Sequence, residues 1–161
     1  MSTSKTQRRP KTKTSPEALK ASEKPRAVKD LLGNGGTHDR PVFSFALIDR
    51  DYDGSWGWHL LTESESIRIL NFFLEVATLT WNEVRSLTAS GRKRHHYQDV
   101  QSLCNDARAR IASKKFDDIS DRMFRFRLDG ANRLWGFEEQ GIFYVVWWDP
   151  DHKVYPTERS S

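Results

Sequence analysis

Three arginines near the C-terminal end have the spacing of a phosphate-binding surface. Arg125 and Arg127 alternate with apolar residues, so in a strand their side chains lie on one face. Arg133 lies just across a turn predicted at Asp129-Gly130, and we expect it to join that face, with Trp135 beside it as a platform for base stacking. Guanidinium groups bind phosphate and stabilise the charge that develops in phosphoryl transfer. The alternative is a solvated face on which the arginines pair with Asp and Glu.

A second basic group lies in a polar loop ahead of a predicted helix. Arg92, Lys93 and Arg94 are followed directly by His95 and His96. A histidine near its ordinary pKa of about 6.5 acts as a general acid or base at neutral pH, and the adjacent cations bind phosphate. The two histidines are therefore candidate catalytic residues, and the three cations are candidate nucleic-acid contacts. The alternative is an exposed charged loop with one histidine packed against the helix.

Metal and cofactor chemistry has less support. The available ligands are His95, His96 and His152 with Asp149 or Asp151, and they lack a fixed ligand spacing. The sequence has no glycine-rich phosphate loop, no Gly-x-Ser-x-Gly and no paired cysteines. We therefore expect neither a metal site nor a cofactor.

Periodicity predicts the elements that position these residues. An apolar segment at 42–48, a turn and a return at 55–60 predict an N-terminal β-hairpin. Two capping boxes, at Thr62 and Thr80, each precede apolar residues at helical spacing, and a third helix is predicted at 98–113. Alternation then returns in a three-stranded antiparallel meander. The predicted fold class is α+β, with two or three helices against one face of the sheet.

The charge of the chain divides at about residue 38. Residues 1–38 carry nine Lys or Arg against three acidic residues and few large apolar side chains, which predicts a disordered basic tail. The other 123 residues carry 17 basic and 19 acidic side chains and are predicted to form a single domain, 39–161. The basic pI therefore belongs to the tail, which we expect to bind polyanions in a salt-dependent way. Any nucleic-acid surface on the domain must be a local patch.

Composition also predicts a location. The single cysteine, Cys104, cannot form an internal disulfide, which favours a reducing compartment, and we expect a cytoplasmic protein. No apolar run approaches the roughly 18 residues that span a bilayer, so we expect no membrane association.

Four segments of the sequence resemble those of a family of small uncharacterised bacterial proteins. They are Arg133 to Gly136, Val146 to Pro156, the loop from Lys93 to His96 and the strand segment from Phe124 to Leu128. The resemblance covers residues 60–156 and implies no activity.

A broader resemblance is to the RelE/ParE toxin superfamily, in which helices precede a C-terminal antiparallel meander. The phrase from Leu128 to Leu134 resembles the superfamily's turn and arginine-bearing strand, and His152 and Tyr155 resemble its C-terminal His and Tyr. The resemblance implies RNA cleavage by the RNA 2′-hydroxyl, with such side chains holding phosphate and moving protons, and an antitoxin protein as partner. The candidate catalytic residues are then His95, His96, Arg133, His152 and Tyr155.

A second hypothesis from a different class is a non-catalytic protein-interaction module with a polyanion-binding tail. The acidic balance of the domain and the lack of a complete catalytic signature support it. The two hypotheses differ in one structural expectation. A ribonuclease requires the arginines to converge on a cleft beside the histidines, whereas a scaffold leaves them scattered and salt-bridged.

Overall fold

The computed structural model describes residues 39–156, and this region has an α+β fold, as predicted. The predicted tail at 1–38 lies outside the described residues, so the tail and the domain boundary stay predictions. The helices are α1 (Glu63–Val76), α2 (Trp81–Ser86) and α3 (Asn105–Ser113). The strands are β1 (Val42–Ser44), β2 (Thr88–Ala89), β3 (Arg92–Lys93), β4 (His96–Asp99), β5 (Arg122–Arg127), β6 (Arg133–Glu139) and β7 (Ile142–Asp149).

Five strands form one mixed sheet in the order β1-β7-β6-β5-β4. The antiparallel meander of β5, β6 and β7 confirms the prediction for the C-terminal third. The two outer strands come from earlier in the chain: β1 pairs with β7 in parallel, and β4 pairs with β5 antiparallel. Strands β2 and β3 form a separate two-stranded hairpin.

Both faces of the sheet are covered, which corrects the prediction of helices on one face. On the face that we call the α1 face, Phe126 and Phe143 pack with residues of α1 and α2. On the opposite face, the α3 face, Trp135 and Trp147 pack with α3 and with the loop that follows β1. The physical reason lies in β7, all of whose residues are buried and whose apolar side chains contribute to both cores, alternating except at Val146 and Trp147, where the β6–β7 register shifts.

Helices α1 and α2 begin at the predicted capping boxes. The Thr62 hydroxyl accepts from the Glu65 backbone N–H and the Glu65 carboxylate accepts from the Thr62 N–H, and Thr80 and Glu83 repeat the pattern. Helix α1 buries Ile69, Phe72 and Val76, whereas three of the apolar side chains that follow Thr62 at helical spacing are exposed, namely Ile67, Leu70 and Leu74. Within the described region no helix is long and apolar enough to cross a membrane.

Two predicted elements are wrong. No return strand forms at 55–60, where the structure has only a short 3-10 turn, Trp58–Leu60. The segment instead packs on the α3 face through Tyr52 and Trp56, and the Trp58 indole N–H donates to the Val146 carbonyl at 2.9 Å. The helix predicted at 98–113 begins only at Asn105, because β4 extends to Asp99 to pair with β5 and a 3-10 turn, Val100–Ser102, follows it.

Candidate functional site

The three predicted arginines converge on the α3 face of the sheet. Met123 packs on this face, so the period of two places Arg125 and Arg127 there as well. Arg133 is directly opposite Arg127 in the β5–β6 register. Arg125 and Arg133 are only 7% and 6% exposed. We call Arg125, Arg127 and Arg133 the arginine cluster.

Two histidines from distant parts of the chain hold the Arg125 guanidinium. Its Nη2 lies 2.6 Å from Nε2 of His96, and its Nη1 lies 3.1 Å from Nε2 of His152. An arginine has donors but no acceptor, so both Nε2 atoms must accept. Each ring is therefore the neutral tautomer that carries its proton on Nδ1.

The electrostatics agree with neutral rings. Burial, together with Arg133 and Arg125, lowers the pKa of His152 to about 4. Burial and Arg125 also lower the pKa of His96 below its ordinary value. At neutral pH both rings can accept a proton, which is the state that a general base requires.

The turn after β7 brings His152 and Tyr155 to the cluster. The buried Asp149 carboxylate accepts from the backbone N–H groups of Lys153 and Val154 at 2.8 and 3.0 Å, which fixes the turn. His152 adopts a left-handed φ of 58° there. The Tyr155 ring centroid lies 6.3 Å from that of His152 and 6.0 Å from Cζ of Arg125.

The arginine cluster has no salt-bridge partner in the described region, although the buried Asp149 lies opposite Arg133 in the β6–β7 register and attracts Arg125 and Arg133 electrostatically. Between residues 39 and 156, none of its three members forms an ion pair with Asp or Glu. Arg133 donates through Nη1 to the carbonyls of Gly130 and Asn132 at 2.7 and 3.0 Å, while the Nε atoms of Arg125 and Arg133 are buried without a hydrogen-bond partner. Burial, then Arg125 and Arg127, lowers the pKa of Arg133 to about 10.

A concavity of about 480 Å³ opens over the cluster. The β2–β3 hairpin forms one wall, and Arg94 joins this hairpin to the sheet by donating to the carbonyls of Arg127 and Leu128 at 3.0 and 2.7 Å. Its lining holds six Arg or Lys and no acidic residue: Ala89, Ser90, Arg92, Lys93, Arg94, His96, Arg125, Arg127 and Arg133. We call this the basic concavity.

Two predicted site residues lie elsewhere. His95 is on the α1 face, where it is buried against Phe72 and Phe126, and its Nδ1 accepts from the Arg127 backbone N–H at 3.0 Å. Trp135 is fully buried, and its indole N–H donates to Asp149 at 3.2 Å, so no ring face is free to stack on a base. The remaining nine predicted residues lie in or beside the basic concavity.

The role of Asp149 in holding the His152 turn was not predicted from the sequence. This carboxylate was predicted only as a candidate metal ligand. In the described part of the chain, no group of three or more His, Cys, Asp and Glu side chains is arranged to hold a metal ion.

The burial of His95 predicts an acid-sensitive fold. Burial, then Arg94 and His96, lowers its pKa to about 3. Between this value and the ordinary 6.5, the unfolded chain binds a proton that the native state does not, so stability falls as pH falls. From pH 6.5 to 5 the loss should be about 1.7 kcal/mol, with a slope that approaches about 1.4 kcal/mol for each pH unit once the unfolded histidine is mostly protonated.

Urea unfolding across this pH range measures the effect. His95→Asn keeps an acceptor for the Arg127 N–H but cannot titrate, so the slope of unfolding free energy against pH should decrease by about 1.4 kcal/mol per unit. An equal slope in the two proteins would contradict the assignment of His95 as a buried neutral residue.

Comparisons of this chain with protein-family models, with curated proteins and with solved structures gave no match.

Proposed function

We propose that this protein binds RNA at the basic concavity and cleaves it as a metal-independent endoribonuclease of the RelE/ParE toxin type. The observation that carries the proposal is a group of three arginines, two of them buried, that form no salt bridge in the described region. Like charges placed directly opposite on a sheet, as Arg127 and Arg133 are, destabilise it. The repulsion between the two guanidinium groups lowers stability, and a phosphate bound between them compensates for this loss.

The neighbouring side chains supply the proton transfers of the proposed reaction. The RNA 2′-hydroxyl attacks the adjacent phosphorus, which forms the 2′,3′-cyclic phosphate and expels the 5′-oxygen of the next nucleotide. His96 and His152 lie on the two sides of the Arg125 guanidinium, so one serves as base for the 2′-hydroxyl and the other as acid for the leaving oxygen. The arginine cluster stabilises the additional negative charge on the phosphoryl oxygens.

The second hypothesis, a non-catalytic interaction module, expects scattered and salt-bridged arginines. Their convergence beside His96 and His152 favours the ribonuclease proposal. An antitoxin protein remains the partner that the toxin assignment implies, and a gene for it beside this one would support the assignment.

Cleavage of a fluorescent single-stranded RNA in the presence of EDTA tests the proposal. We expect products that end in a 2′,3′-cyclic phosphate, and no cleavage of the same RNA when its 2′-hydroxyls are methylated. Induced expression should arrest bacterial growth. Intact RNA at high enzyme concentration, together with normal growth of expressing cells, would contradict the proposal.

The basic concavity also predicts how RNA binding depends on salt concentration. Its exposed cations should determine this dependence, because they contact RNA phosphates. For single strands the slope of log K against log salt is about −0.7 for each phosphate neutralised. Replacing the exposed Arg92 and Lys93 with alanine should therefore make the slope less steep by about 1.4. The measurement is fluorescence anisotropy with 2′-O-methylated RNA.

The matched control replaces two exposed cations outside the concavity, Arg108→Ala with Lys115→Ala. This variant has the same net charge as the first and should keep the parental slope. Equal slopes for the two double variants would place the phosphate contacts elsewhere on the chain.

A further inference from the structure

The hydrogen bonds of Arg125 link phosphate binding to proton uptake. We propose that an anion entering the basic concavity accepts the hydrogen bonds that Arg125 otherwise donates to His96 and His152, and that one of the two rings then binds a proton from solvent at Nε2. The inference rests on the proposed function, which it deepens by stating how the acid of the reaction acquires its proton.

The first step is a competition for the same donors. Nη1 and Nη2 of Arg125 each donate to a neutral imidazole, and its Nε has no partner. A hydrogen bond from guanidinium to an anionic oxygen is about twice as strong as one between neutral groups, so a phosphate oxygen is the better acceptor. Rotation of the guanidinium toward the ligand leaves both Nε2 atoms without a donor.

The second step follows from the tautomers. Both rings already carry a proton on Nδ1, so an Nε2 atom that has lost its donor is the only position at which either ring can gain another. The same anion that removes the hydrogen bond also adds negative charge beside the ring. Both changes favour the protonated ring.

The charges around the two rings limit the uptake to about one proton. A phosphodiester brings one negative charge into a site whose other charged groups, apart from Asp149, are cations. A second proton would be repelled by the first ring and by these cations. The charged and titratable groups that face the pair come from the hairpin, the strands and the C-terminal turn: Lys93, Arg94, Arg125, Arg127, Arg133, Asp149 and Tyr155.

The coupling has a consequence for the reaction. Without ligand both histidines are neutral, and neither can act as an acid. Binding of the phosphate makes one imidazolium and leaves one neutral imidazole, which is the pair of protonation states that cleavage requires. The acid is therefore prepared only when substrate occupies the concavity.

Sulfate is the probe that separates this inference from RNA cleavage, because it remains ionised throughout the titration. NMR titration of the ring resonances gives the pKa of each histidine in chloride and in sulfate at equal ionic strength. We expect the pKa of either His96 or His152 to rise to about 7 in sulfate, because a ring is mostly protonated at pH 6 only if its pKa exceeds that pH; for His152, whose pKa is about 4 without the anion, this is about a thousandfold gain in proton affinity. The exposed His59, which lies outside the basic concavity, serves as the internal control.

Calorimetry with 2′-O-methylated RNA in buffers of different ionisation enthalpy counts the protons taken up. The parent protein should take up about one proton at pH 6. The double variant His96→Gln with His152→Gln keeps amide acceptors for Arg125 but cannot titrate, so it should take up none, whereas His59→Gln should behave as the parent. Circular dichroism establishes that each variant is folded.

The outcomes distinguish the two proposals. RNA cleavage with no effect of sulfate on either pKa would overturn the coupling alone, as would uptake that persists in the double glutamine variant. A sulfate-dependent rise of the pKa in a protein that neither binds nor cuts RNA would support the coupling and overturn the ribonuclease assignment.

Discussion

Replacing Arg133 with methionine should lower the rate of RNA cleavage by about 10²- to 10³-fold while changing the unfolding free energy by less than about 1 kcal/mol. The loss of rate is the usual effect of removing one preorganised donor that stabilises negative charge in the transition state. The small effect on stability has a separate cause. Methionine removes a buried guanidinium that faces Arg127 and forms no salt bridge, and this gain offsets the lost hydrogen bonds to Gly130 and Asn132 and the lost attraction to Asp149.

The matched control is Arg122→Met, on the same strand as Arg125 but exposed and outside the basic concavity. It removes the same formal charge, so it should leave the cleavage rate within about twofold if the local site rather than net charge determines the rate. Single-turnover cleavage and urea unfolding give the two quantities. A structural role for Arg133 predicts the opposite pattern, with a large loss of stability and a rate per folded molecule close to that of the parent.

The arginine cluster was predictable from the sequence because the residues that form it are close together in the chain. Arg125, Arg127 and Arg133 lie on two strands joined by one short turn, and the period of two together with that turn fixes the face that they share. The capping boxes of α1 and α2 are local in the same sense, since each joins residues three apart. These predictions required no knowledge of how the chain returns on itself.

The assignment of His95 and His96 shows where local reasoning fails. Both histidines were placed in one basic loop, and the sequence contains no signal that separates them. In the structure the segment extends to pair with β5, so His96 faces Arg125 while the preceding His95 points into the opposite core. One register in a long-range strand pairing therefore decides which histidine reaches the site.

The remaining errors also depend on long-range pairing. Helix α1 has apolar residues on two sides, so its periodicity predicted a helix but not the stripe that is buried. The segment after β1 has strand-like composition, but β1 pairs with β7, whose residues lie 100 positions later in the chain. No pattern within the N-terminal segment indicates this partner.

A buried ion pair that the sequence did not reveal fixes that segment. The Asp49 carboxylate is fully buried and accepts from Arg110 of α3 at 2.9 and 2.5 Å and from the Trp147 indole at 3.0 Å. Burial opposes its ionisation, but the hydrogen bonds from Arg110 and Trp147 outweigh burial and lower its pKa. The loop, α3 and the sheet are thus joined at one carboxylate.

Replacing Asp49 with alanine should therefore lower the unfolding free energy by about 3 kcal/mol, at the lower end of the cost of breaking a buried pair. The lower end applies because the Arg110 side chain is 24% exposed, so water can solvate part of the charge that is left behind. Asp51→Ala is the control: this aspartate is 73% exposed and pairs with Lys114, so its loss should cost less than about 1 kcal/mol. Urea unfolding at pH 7 measures both.

A double variant decides whether the cost comes from the unpaired charge or from the lost connection between elements. If the Arg110 charge is the cause, adding Arg110→Met to Asp49→Ala should recover about 1 kcal/mol or more, because neither partner is then left buried alone. If the two substitutions instead add, the Trp147 hydrogen bond and the packing of the loop carry the stability. A loss below about 1 kcal/mol for Asp49→Ala alone would show that the segment after β1 is held by Tyr52 and Trp56, without any contribution from this ion pair.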